Sequence, residues 1–293
     1  MTVVVASTSV VSGTPVSVTF PAFVGTDGTT ATNTTSTPTC TYTSAIGATY
    51  SFTVSSVSTG VYKVTPSGGW PALDVLTVTL SGAISAVNVS QTVQVDVVGA
   101  QIVAPLTALT AVGGDTSNTT QVARTVRALD EFDRIVRYFK GASLVPRIAV
   151  ETWNRASLDC AYRLVLSEPL PYEIVSCKVD GTAVSTLLDH SAVVRSGGGN
   201  LRPTASDGTV EVVYKHGYQT PPAEMVRAAT AYVGCVLNID AAKGRRAYLS
   251  NGPDGFTVNP DGTPDPSRGR YTGFIEVDRL IESLPDHRPV VIA

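Results

Sequence analysis

Charge is scarce in this chain. Only 15% of its 293 residues are Asp, Glu, Lys or Arg, against about 25% in an ordinary soluble domain. With 21 basic and 24 acidic residues the formal charge is −3, which argues against a broadly basic nucleic-acid binder. Histidine occurs only at His190, His216 and His287, and none lies in H-E-x-x-H or another metal spacing. No G-x-S-x-G nucleophile elbow is present. Cys40, Cys160, Cys177 and Cys235 lack any C-x-x-C spacing, whereas a zinc site or disulfide framework needs tighter clustering. Reduced, mostly buried thiols and a reducing folding compartment are expected instead. The N-x-S/T sequons at Asn33, Asn88 and Asn118 then reflect Thr-rich composition rather than glycosylation. No apolar run reaches the roughly 18 residues of a transmembrane helix. The opening Met1-Thr-Val-Val-Val5 has no basic segment, so no signal peptide is expected. These absences predict a chain with no catalytic, metal or cofactor site.

What is present divides into two grammars near residue 105, in line with the two domains that the length suggests. Residues 1–104 hold one basic side chain, Lys63, and three acids, Asp27, Asp74 and Asp96. They are dense in Thr, Ser and Val and show no helical period. Apolar residues alternate with polar ones in Val16–Phe20, Tyr50–Val54, Gly60–Val64, Val75–Leu80 and Thr92–Val97, the signature of half-buried strands. Asp27-Gly28, Ser58-Thr-Gly60, Ser67-Gly-Gly69 and Ser81-Gly82 supply the turns between them. Short strands at this spacing predict a β-sandwich of about 100 residues. Trp70, in a Gly-Gly-Trp-Pro turn, is expected at a covered edge.

The second half reads as helices around a β-insert. Residues 105–116, with Pro105 and Gly113-Gly-Asp115, are expected to be a linker. Val122, Val126, Leu129, Phe132, Val136 and Phe139 recur at helical steps over 119–140. Asp115, Ser117 and Asn118 offer N-caps and Gly141 a C-terminal stop. Arg124, Arg127, Asp130, Arg134 and Arg137 form its wet face, expected at solvent or a neighbouring subunit. Strand patterns then occupy about 147–215, including a hairpin turn at Val179-Asp-Gly-Thr182. Pro222 opens a second helix over 222–238, with Glu224 against its dipole. Residues 250–272 read as a Gly/Pro/Asp-rich loop, 275–283 as a last helix, and 285–293 as an extended tail. Asn259–Asp265 imitates a calcium loop, but Arg270 stands where the bidentate Glu belongs. Ser196-Gly-Gly-Gly-Asn200 lacks the following helix of a phosphate cradle. His216, in Tyr214-Lys-His-Gly-Tyr218, reads as a structural histidine at a strand end.

Two resemblances follow. Asp27-Gly28, Tyr50-Ser-Phe52, Gly60-Val-Tyr62 and Val95-Asp-Val97 make residues 1–104 resemble the immunoglobulin-like modules of many bacteriophage and bacterial surface proteins, although the Cys…Trp…Cys core is missing. From about 115 to 285 the chain resembles the head-to-tail adaptor (connector) proteins of long-tailed bacteriophages. The carrying residues are Leu144-Val-Pro-Arg147 with Glu151-Thr-Trp153, Val179-Asp-Gly181, Val210–Tyr218 leading to Pro222, and Gly273–Leu280. Ile275 departs from the proline that often precedes Glu-Val-Asp in that family. The expected fold is α+β: an Ig-like β-sandwich over 1–104, then an adaptor domain over 117–293, a small helical domain with an inserted antiparallel sheet.

The resemblance implies a structural virion protein at the head–tail junction, assembled in the host cytoplasm. Such proteins form a ring, usually a dodecamer, beneath the portal. Its partners are the portal, identical subunits, and the next connector (stopper) or a tail component. DNA passes as cargo, and no membrane is involved. Arg288, Pro289, Val290, Val291, Ile292 and Ala293 are expected to dock on the portal. Arg124, Arg134, Glu276, Asp278 and Arg279 are expected to face neighbouring subunits. Trp153, Tyr214 and Tyr218 are expected to pack a helix–sheet junction. Gly217 serves a tight turn, and Pro146, Pro222 and Gly273 complete the motif. The rival is a non-enzymatic Ig-like binding module of a tail or cell-surface protein, its exposed Tyr42, Tyr50 and Trp70 stacking on sugar, or its surface recognising protein. A hydrolase comes third, since it needs clustered carboxylates or histidines.

Overall fold

A computed structural model describes residues 2–287 except 15, 26, 71, 155–162, 190–192, 198–200, 205–206, 242–247, 253–254, 260–271 and 273–274. The chain is mixed α+β, mostly sheet with a few helices. It divides into two compact units: one of residues 1–100, 146–166 and 171–216, the other of 101–145, 167–170 and 217–293.

In the first unit the Thr/Val alternation yields β1 (Thr2–Val11), β2 (Val18–Thr19), β3 (Thr39–Ser44), β4 (Phe52–Ser58), β5 (Val61–Pro66), β6 (Asp74–Ile84) and β7 (Val87–Val98). One sheet has the order β1-β7-β6-β3 and another the order β2-β5-β4. β1 runs parallel to β7, and the other pairings are antiparallel. Side chains alternate across a strand, so Leu76, Val78, Leu80, Val93, Val95 and Val97 all turn inward and are at most 1% exposed. Val18, Tyr62 and Val64 of the other sheet join them in one core with Phe20, Phe23 and Trp70. The β6–β7 hairpin turns on Ser85 and Ala86, both at positive φ, the backbone that a two-residue turn between twisted strands requires.

The same unit contains β8 (Arg147–Asn154), β9 (Arg163–Val165), β10 (Glu173–Val179), β11 (Thr182–Ala183), β12 (Thr186–Leu188), β13 (Val193–Ser196) and β14 (Thr209–His216). They form two antiparallel sheets, β11-β10-β14-β8 and β12-β13-β9. Leu164 and Val194 from the small sheet share a core with Cys177, Val210, Val212 and Tyr214 from the larger one. Asp180 and Gly181 make the Val179–Thr182 turn at φ 51° and 76°. β8 is tied to the N-terminal strands by polar contacts. Gly99 N–H donates to the Pro146 carbonyl at 3.0 Å, and the Arg147 guanidinium reaches Asp96 at 3.3 Å and Ser9 at 3.4 Å.

The second unit holds α1 (Pro105–Ala111), α2 (Thr119–Lys140), α3 (Ala223–Ala241) and α4 (Ile275–Glu282). The Asn118 carboxamide accepts from the N–H groups of Thr120 and Gln121 at 3.0 and 3.1 Å, capping α2. Gly141 ends α2 at φ 75°, a conformation that favours glycine. Leu129, Phe132 and Val136 of α2 are buried, as are Met225, Ala228, Ala229, Tyr232 and Val233 of α3. The Phe132 and Tyr232 rings meet at 5.7 Å. α3 packs on both α2 and α4. Met225 and Val226 N–H groups donate to the Pro222 carbonyl, so Pro222 precedes the first helical turn rather than forming part of it.

Two expectations are corrected here. The stretch 105–116 is not wholly a linker, because Pro105 sits at the helix position that needs no N–H donor and starts α1. Within the expected loop 250–272, β15 (Tyr248–Gly252) and β16 (Gly255–Asn259) pair as a hairpin. The last pair of that hairpin is Gly252 with Gly255.

Candidate functional site

The aromatic side chains of the N-terminal sheets were the candidate sugar platform, and the structure corrects that expectation. Trp70 is 0% exposed and Tyr50 8%. The indole N–H of Trp70 donates to the Val16 carbonyl at 3.0 Å. Tyr42 is half-buried, and its hydroxyl accepts from the Tyr50 N–H at 2.8 Å. The rings pack on one another, Tyr42 edge-on to Tyr50 and Phe52, and Tyr50 against Trp70. Tyr50 and Trp70 therefore offer no exposed face on which a sugar could stack.

Beneath them lies an acidic hub that sequence reading missed. Asp74 is 1% exposed. Its carboxylate accepts from the Ser44 hydroxyl at 2.5 Å, the Tyr50 hydroxyl at 3.0 Å, and the N–H groups of Ala45, Ile46 and Val75 at 3.0, 3.3 and 2.8 Å. Burial, then the charge of Asp74, pushes the Tyr50 phenol well above its usual range. The signal was a lone acid at the start of an apolar strand. The arrangement satisfies a buried charge and leaves its work structural.

The expected junction residues separate. Trp153 and Tyr214 lie in the β8–β14 sheets, where Tyr214 is 0% exposed and Trp153 packs on the same cluster. The Tyr214 hydroxyl donates to the Glu151 carboxylate. They pack a sheet core rather than a helix–sheet junction. Pro146 lies beside Gly99, where an added Cβ would come within 3.0 Å of it. His216 is buried at the end of β14. In the helical unit Gly217 makes the tight turn: φ is 90°, and a Cβ would sit 2.5 Å from the Val145 carbonyl oxygen. Tyr218 N–H donates to the Ser143 carbonyl, and its hydroxyl lies 3.4 Å from His287 Nε2.

The candidate subunit-facing residues have different fates. Arg124 is half-buried, and Arg134 and Arg279 are exposed. Asp278 is corrected: it is 4% exposed and accepts from the Thr272 N–H and hydroxyl, both at 2.7 Å. Turned inward, it secures the approach to α4 instead of facing a neighbour. Glu276 belongs to α4, but its side chain lies outside the described residues, as do Gly273 and Arg288–Ala293. What precedes that segment is well held. Lys140, 7% exposed, donates through Nζ to the Glu282 and Leu284 carbonyls at 3.3 and 3.1 Å. A cation there complements the negative end of the α4 dipole. His287 N–H donates back to the Lys140 carbonyl at 2.8 Å. A separation of 142 residues hid this contact from sequence reading.

Among the described residues no group of three His, Cys, Asp or Glu is placed to hold a metal, and no helix is long and apolar enough to cross a membrane. His190, Cys160 and most of the calcium-loop mimic lie outside the described residues, as does most of the Gly-Gly-Gly hairpin tip. Compared with known proteins, the chain matches no family model and no curated protein.

Proposed function

We propose that this chain is a structural virion protein, a head-to-tail adaptor that forms a ring beneath the portal of a long-tailed bacteriophage. The observation that carries the reading is the path of the chain. It builds α2, leaves the helical unit at Val145 for an antiparallel β excursion that touches that unit again only at 167–170, and returns at Gly217 into a helix after Pro222. That order is the one the resemblance implies. Helices with exposed outer positions, and a β-insert that belongs to the unit of the N-terminal strands, suit a ring whose subunits bury helix surface against one another. The ring, implied dodecameric, would extend the DNA channel and present a surface to the next connector or tail component. DNA would pass as cargo, since a chain of net charge −3 gains little from counterion release.

Residues 1–104 form, on this proposal, an Ig-like decoration domain. Its strand order supports that: β2-β5-β4 follows the B-E-D order and β3-β6-β7 the C-F-G order of an immunoglobulin sandwich. Fold alone assigns no ligand to it.

The test is the mass of the purified chain by light scattering, alone and with the portal from the same genome. Conversion of a species near 30.5 kDa into a stoichiometric complex on the portal supports the adaptor. A chain that ignores the portal contradicts it, and glycan-array binding would then favour the surface-module alternative.

A further inference from the structure

The outer face of α2 is organised. Arg127, Glu131, Arg134 and Tyr138 follow one another at steps of four, three and four residues, and all are exposed, Tyr138 at 77%. At 3.6 residues per turn these positions form one stripe. It lies opposite the buried Leu129, Phe132 and Val136, so it points away from the helices that α2 packs on. Its charges read plus, minus, plus, with an aromatic ring at the end. α4 has a matching face. Val277 and Ile281 are fully buried, while Arg279 and Glu282, on the opposite side, are exposed and read plus, minus.

These two stripes are complementary. Setting Glu131 against Arg279 brings Glu282 to Arg127 when the helices run antiparallel, and to Arg134 when they run parallel. Because α3 packs on both helices through their buried sides, the two charged faces are different surfaces of one unit. Two different surfaces that fit each other make a head-to-tail contact, which closes into a ring when the rotation allows. Arg and Tyr are also among the residues enriched at the anchoring positions of interfaces.

We infer that the α2 stripe docks on the α4 face of a second copy of this chain, with Glu131 paired to Arg279. The inference rests on the ring reading and names the contact that builds it. Opposed rim charges chiefly set specificity, and like charges brought together are strongly disfavoured. A charge reversal on either face should therefore break the contact, and reversal on both should restore it.

The experiment compares wild type, Glu131→Arg, Arg279→Glu and the double variant, each as the full chain with the portal, by native mass spectrometry. Thermal melts check that each variant folds. Each single reversal is expected to weaken association between copies at least about tenfold, and the double variant to recover to within about threefold of wild type. Should Arg279→Glu fail to fold, the same crossing is made with Glu282→Arg and Arg127→Glu/Arg134→Glu. Single variants that assemble like wild type, or a double variant no better than the singles, overturn this contact and leave the ring reading standing. A wild-type chain that never assembles overturns both.

Discussion

Asp74→Ala removes the acceptor of five donors at once: two hydroxyls and three backbone N–H groups. Ser44, Ala45 and Ile46 are half-buried, so water can reach part of that set after the substitution. The Tyr50 hydroxyl and the Val75 N–H sit beside a side chain only 1% exposed, and re-solvate poorly. Leaving a buried donor without its acceptor costs about 1–3 kcal/mol, and hydrogen bonds to a charge lie at the upper end. Two such donors and partial recovery of the other three give a loss of about 3–5 kcal/mol. That is a large share of the roughly 5–15 kcal/mol available to a domain. Asp74→Asn keeps one oxygen and should lose about 2 kcal/mol. The assay is urea unfolding followed by Trp70 fluorescence in a Trp153→Phe background, because Trp70 belongs to the same core. A loss below about 1 kcal/mol for the alanine variant would refute the hub.

Four further outcomes follow from the same physics. Arg147→Met strands Asp96 in a largely buried pair, with Arg147 7% and Asp96 22% exposed, and should destabilise by about 3 kcal/mol; Arg147→Met/Asp96→Asn should recover part of it, and equal losses in both variants would count against the pair. Lys140→Met removes the donors that hold the Glu282 and Leu284 carbonyls; trypsin cleavage after Arg279 should speed up several-fold, and an unchanged digest refutes the clamp. Burial pushes the Cys40 and Cys177 thiols up to about 11, so at pH 8 their alkylation in the native chain should run about a hundredfold slower than after unfolding; rates within tenfold would contradict it. The Thr30 hydroxyl, then the N–H groups of Thr30 and Thr29, hold the Asp27 carboxyl down to about 2. Its folded value is lowered, so its contribution is present above the ordinary 3.8 and lost as pH falls through about 2. A carboxyl NMR titration with its midpoint near 3.8 would disprove the turn.

Local chemistry made much of this fold readable. α2 announces itself through apolar steps of three and four between Asn118 and Gly141, and the cap and the left-handed stop are both in place. Asp180-Gly181 is a turn for the same local reason. β3 was also within reach, since Thr39-Cys-Thr-Tyr-Thr-Ser44 alternates, yet its exposed side is all Thr and resembles the surrounding Ser/Thr-rich loops. α1 was missed because Gly113-Gly114 outweighed the start signal of Pro105. Contacts between distant residues were not legible: Lys140 meets α4 across 142 residues, and Arg147 meets Asp96 across 51. Burial of Asp278 was hidden likewise, because an acid on a short helix reads as solvent-facing until Thr272 is placed beside it. The sugar-stacking idea failed for a related reason, since Tyr and Trp serve as core and as surface with the same sequence pattern.

Cryo-electron microscopy of the purified chain mixed with its portal tests the adaptor reading most directly. A closed ring on the tail-facing end of the portal is predicted, with helices α2 and α4 of neighbouring copies in contact. Portals with bare ends beside unassembled chain would contradict it.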